Sequence, residues 1–158
     1  MAIVLWTTND GKWQARRFNG SDSIYCQTPP KKCLVKIIPV RSEGAPGFHL
    51  EVGLSPSAGD RAAREYAIRI AGSPDRVGRS RIGGGMWQPF YIVRIGSSDM
   101  ERVAGEIARF LSEWDGALTE QDLRWTTKFT VNWDRFDDPE RTKEEAATLG
   151  NAIRQRLE

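Results

Sequence analysis

Residues 88–114 read QPFYIVRIGSSDMERVAGEIARFLSEW, and the apolar period changes in the middle of them. From Gln88 to Ile95 the run is short, apolar and β-prone, which reads as a strand. From Ser98 onward, Met100, Val103, Ala104, Ile107, Ala108, Leu111 and Trp114 recur every three or four residues and make one stripe of a helix. Ser98 and Glu101 have the spacing of a capping box at its start, and Asp115-Gly116 ends it. A strand followed at once by an amphipathic helix calls for a sheet with helices laid against a face.

Upstream the chain is mostly strand. Residues 2–8 and 13–18 flank Asn9-Asp10-Gly11-Lys12, where Asp-Gly signals a two-residue hairpin turn. Asn19-Gly20-Ser21-Asp22 is a second turn, leading into a short strand over 23–27. Residues 33–41 are nearly all apolar, and Pro39 there marks a sheet edge or a bulge because it has no N–H to donate. In residues 48–54, Phe48, Leu50, Val52 and Leu54 face one way, and His49, Glu51 and Gly53 the other. Ala62, Ala63, Tyr66, Ala67 and Ile70 then predict a helix, capped by Ser57 or Asp60 and stopped by Gly72-Ser73-Pro74.

Downstream, residues 119–122 suggest a short helical turn, and 125–133 alternate like a strand. Asp138-Pro139 opens a last helix with Ala146, Leu149, Ile153 and Leu157 as its apolar stripe. Acidic residues crowd its start, while Arg154 and Arg156 lie near its end, an order that suits the helix dipole. The expected fold is a single α+β domain over 1–158. It has a mostly antiparallel sheet with N-terminal hairpins, and about three helices packed on one face.

Charge divides the chain. Residues 1–97, the strand-rich part, hold 14 Lys and Arg against 7 Asp and Glu, a balance of +7. Residues 98–158, the helix-rich part, hold 9 against 14, a balance of −5. The whole is only +2, so the totals hide a basic half and an acidic half. Such a split points to a partner with an acidic surface or to nucleic acid, and it also allows a homo-oligomer in which unlike halves meet. The first residues lack a basic region and a long apolar core. No apolar run nears the ~18 residues that span a bilayer, so the expectation is a cytoplasmic protein without membrane contact.

Chemistry-bearing residues are few. Cys26 and Cys33 are expected as reduced thiols, and two Cys with one His fall short of the roughly four ligands of a zinc site. No metal or other cofactor is called for. Residues 75–87 read as an Arg/Gly loop in which Arg76, Arg79 and Arg81 would pair with carboxylate or phosphate, and Trp87 would offer a stacking face. No Gly-Lys-Ser/Thr follows, so it is not a P-loop. Lys12, Trp13, Arg16 and Arg17 form a second basic and aromatic group, in company with Tyr25, Lys31, Lys32, Lys36 and Arg41. The competing role for such cations is to guard sheet edges.

His49 and Glu51 are the weak catalytic candidates, a base beside a carboxylate on one strand face with no evident nucleophile. The acidic run 134–140 serves as helix capping and lacks the rhythm of a calcium loop. Three readings follow in order. The first is a non-enzymatic binding module with a charged protein–protein interface, such as a small regulator or inhibitor of phage or mobile-element type. The second is a nucleic-acid binder using the basic half. The third is a small enzyme acting on an anionic substrate.

Overall fold

The computed structural model describes residues 1–18, 20–28, 31–41, 48–55, 60–82, 88–114 and 139–158. Its strands are β1 (Ile3–Thr7), β2 (Trp13–Phe18), β3 (Ser21–Cys26), β4 (Lys32–Arg41), β5 (Phe48–Leu54), β6 (Val77–Ile82) and β7 (Gln88–Gly96). Its α-helices are α1 (Asp60–Ala71), α2 (Met100–Glu113) and α3 (Pro139–Leu157). All strand neighbours are antiparallel, and the seven-stranded sheet has the order β1-β2-β3-β4-β5-β7-β6. The first five strands form a meander. After α1, β6 leaves a gap beside β5, and β7 turns back into it, pairing with β5 through Val52↔Val93 and with β6 through Val77↔Val93. The α+β architecture is thus the expected one.

The three described helices lie on the same face. On that face Trp6, Ala15, Ile24, Val35, Ile37, Val52, Leu54 and Val93 meet Ala63, Ala67 and Ile70 of α1, Val103, Ile107 and Leu111 of α2, and Leu149 and Ile153 of α3. Phe110, 1% exposed, stands edge-on to Tyr66 at a centroid distance of 4.8 Å and joins α1 to α2. Burial of these side chains on one sheet face holds the layers together, each large one contributing roughly 1.5–3 kcal/mol.

Local chemistry explains the element ends. Between β1 and β2 the connection is longer than the expected two-residue turn and spans Thr8–Lys12. The Asp10 carboxylate accepts from Thr8 Oγ1 (2.7 Å) and Lys12 N (2.9 Å), while only Gly11 needs its positive φ of 72°. The second turn is tighter than expected, since Ser21 and Asp22 already belong to β3. Pro39 lies in an interior strand but at a locally free stretch. β3 pairs with β4 no further than Asp22↔Ile37, so among the described residues those beyond Ile37 have only β5 beside them, and the side away from β5 is one where an N–H is not needed. Gly72 takes φ 82° just past α1 and ends it as expected.

The capping box does not form. Ser97–Asp99 make a 3₁₀ turn and Asp99 takes the N-cap position without a side-chain bond, while Glu101 instead pairs with Arg156 of α3. The predicted turn at 119–122, the predicted strand at 125–133 and the acidic run up to Asp138 lie outside the described residues.

Candidate functional site

The Arg-rich segment is the main revision of the sequence reading. Residues 75–87 were expected as a loop, but Val77–Ile82 form β6 and pair with β7 through Arg79↔Tyr91 and Arg81↔Pro89. Ser73 caps a short 3₁₀ turn, Pro74–Arg76, that launches the strand, its hydroxyl accepting from Asp75 N at 3.3 Å. Two arginines on alternate residues suit a strand as well as a loop, and β7 supplies the pairing that VGRSRI alone does not advertise. Among the described residues β6 is an edge of the sheet, so one row of its backbone groups faces outward. Arg76 is exposed at its start. Helix α1 packs beside β6 and β7 and adds the exposed Arg64 and Arg69, the latter stacked on Tyr66 at 4.8 Å. Trp87 lies outside the described residues.

The N-terminal basic group does not come together as a recognition surface. Trp13 is only 3% exposed and sits in the core against Trp114, with 6.0 Å between ring centroids. Its indole has no free face for a base to stack on. The Lys12 ammonium lies over the ring, 5.3 Å from its centroid. Arg17 is held by both oxygens of Asp22, at 2.7 and 3.0 Å, and is thereby a structural residue. Arg16 stacks on Tyr25 at 5.3 Å and donates to Gln14. Lys32 is buried with its ammonium 4.5 Å from the Trp114 ring. Such cation–aromatic contacts gain strength where water is excluded.

His49 and Glu51 share the sheet face away from the helices, yet each is engaged elsewhere. His49 donates from Nδ1 to the Ile95 carbonyl (3.2 Å), since a carbonyl only accepts. Glu51, with its side chain 13% exposed, binds Arg94 Nε at 3.1 Å. No hydrogen bond joins the two, so they do not form a base–carboxylate couple. Among the described residues no group of three or more His, Cys, Asp or Glu is placed to hold a metal ion.

The cysteines are free and buried. Tyr25 stands opposite Cys33 and Lys32 opposite Cys26, so the two thiols project from opposite faces of the sheet. Burial pushes the Cys33 thiol up to about 11 despite the neighbouring Lys36 charge. The same desolvation pushes the nearby Tyr25 hydroxyl up to about 12 and lowers Lys36. A crevice of about 130 Å³ opens between α3 and the sheet, bounded by Leu5, Trp6, Asp22 and Gly150. It is smaller than the roughly 300 Å³ at which ligand pockets begin.

No known family model, curated protein or solved structure matches the chain. The functional reading rests on the geometry of its own residues. Sequence reasoning missed three features: the strand character of 77–82, the buried Arg17–Asp22 pair and the burial of Lys32 and Lys36. The alternation of Val77, Arg79 and Arg81 was the one available signal for the first.

Proposed function

We propose that the chain is a non-enzymatic binding module that takes an acidic protein partner along the β6 edge of its sheet and regulates or inhibits it. The observation that supports this is the placement of Arg79 and Arg81 on a strand that is an edge among the described residues, with the exposed Arg76 at its start and the exposed Arg64 and Arg69 on α1, the helix that packs beside it. An edge strand offers N–H and C=O groups to an extended segment, and pairing of that kind supplies affinity with little demand on sequence. Arginine guanidinium groups select for carboxylates through paired hydrogen bonds. The same charges disfavour edge-to-edge pairing of two copies at β6, because like charges facing each other repel.

The test is affinity capture from nuclease-treated extract with the wild-type chain and with the Arg79→Glu/Arg81→Glu double variant. The expected result is an acidic protein retained by the wild type and released by charge reversal. The loss should be about tenfold or more, since juxtaposed like charges cost several kcal/mol. Retention undiminished in the double variant removes β6 from the interface. Saturable binding of oligonucleotides that weakens steeply with salt, and is abolished by the same substitutions, would replace the protein partner with nucleic acid.

A further inference from the structure

Among the described residues the sheet has two unlike edges. β6 carries two arginines, whereas β1 reads IVLWT, with no charge and no proline. Natural edge strands are blunted by charge, proline, covering elements or bulges. Among the described residues β1 has only a register shift between Val4 and Trp6. Two of its apolar side chains stay in water, Ile3 at 60% exposed and Val4 at 54%, while Trp6 is buried, and Phe18 at the adjoining end of β2 is 50% exposed. Ile3 and Val4 alternate across the strand, so both faces of the edge present apolar surface.

The cations behind this edge are already neutralised or stacked. Ile3 pairs with Arg17, which Asp22 holds, and Val4 pairs with Arg16, which lies on Tyr25. The patch is therefore apolar and electrically quiet. A strongly charged partner finds nothing there to pair with, but an identical strand does.

We propose that β1 is a self-association edge, where two copies of this chain pair β1 against β1 antiparallel about a two-fold axis. Two seven-stranded sheets would then run on as one of fourteen, still within the range of open sheets. Ile3, Val4 and Phe18 of each copy become buried against the same residues of the other, as an isologous contact requires. The arrangement closes after two copies and leaves both basic β6 edges outward. It does not depend on the partner proposed for β6. It also differs from association of the basic half with the acidic half, which the charge split alone would suggest.

The experiment is sedimentation equilibrium across low to high micromolar concentration, with the wild type, Val4→Lys and Ile3→Lys. The expected mass of the wild type approaches twice 17.8 kDa, and each lysine variant stays at 17.8 kDa. A wild type that remains at 17.8 kDa throughout overturns the proposal. So does a dimer that both variants keep, or a mass that grows without limit, the mark of a head-to-tail chain. Should a variant fail to fold, wild-type amide exchange decides alone. Exchange across Ile3–Thr7 slows with concentration if β1 is paired, and concentration-independent exchange there refutes it.

Discussion

Replacing Arg17 with Ala strips the guanidinium from a carboxylate that is 3% exposed. Both oxygens of Asp22 lose their partner, at 2.7 and 3.0 Å, and the Lys143 carbonyl on α3 loses a 3.3 Å bond. Breaking one side of a buried ion pair costs about 3–5 kcal/mol. Arg17 is itself 24% exposed, so the lower end, about 3 kcal/mol, is the figure to expect. For a chain of this size that lowers the melting temperature by about 6–12 °C.

The pH dependence carries the sharper signature. Burial already lifts the Asp22 carboxyl above its usual 3.8, because desolvation outweighs the bonds and charge of Arg17. Without Arg17 nothing opposes desolvation, and the carboxyl rises further. A carboxyl raised in the folded state binds its proton more tightly there than in the unfolded chain. The penalty is therefore absent below the unfolded value of 3.8 and grows as pH rises toward the folded value. Its steepest slope is about 1.4 kcal/mol per pH unit. Urea unfolding followed by tryptophan fluorescence, at about pH 7 and about pH 4.5, measures it. The variant should be much closer to wild type at the lower pH, and adding Asp22→Asn should restore most of the loss near neutrality. A loss below about 1 kcal/mol, or one that acid does not reduce, would refute the placement of Asp22 in a desolvated pocket.

Two further outcomes follow from packing. Gly150 lies within α3, and a Cβ added there would meet Trp6 Nε1 at 3.6 Å, an ordinary contact. Gly150→Ala should thus stabilise the chain by about 0.5–1 kcal/mol in thermal unfolding, and destabilisation would show that Trp6 cannot tolerate the methyl group. Both cysteines are buried and the Cys33 thiol is held near 11, so a disulfide-exchange reagent at mildly alkaline pH should react only as fast as the chain unfolds. Rapid labelling of Cys33 in native protein would contradict the packing around β4.

What the sequence revealed depended on how one-sided each element is. β5 is bounded as read because Phe48, Leu50, Val52 and Leu54 alternate without interruption. The stripe of α2 is buried as read, from Met100 to Leu111. β6 escaped notice because Gly78, Arg79, Ser80 and Arg81 interrupt any apolar period, and its place is fixed by pairing with β7, which its own residues do not encode. Trp13 was offered as a binding residue because cations surround it in sequence. The strand alternation sends its indole inward beside Ala15 while Arg16 points the other way. Asp22 looked like a turn residue. Only the tertiary fold shows that it faces the helix layer with Arg17 as its partner.

The insertion of β7 between β5 and β6 constrains how the chain can fold. β6 precedes β7 in sequence but lies beyond it in the sheet, so β6 cannot find its place on a growing meander one strand at a time. β7 must reach β5 across the interval that α1 bridges, either alone or already paired with β6 as a hairpin. Until it docks, β5 is itself an edge and carries an apolar face with no hairpin beside it. That interval leaves the molecule open to pairing with the wrong strand, and conditions that speed the docking should raise refolding yield more than those that merely stabilise the finished fold.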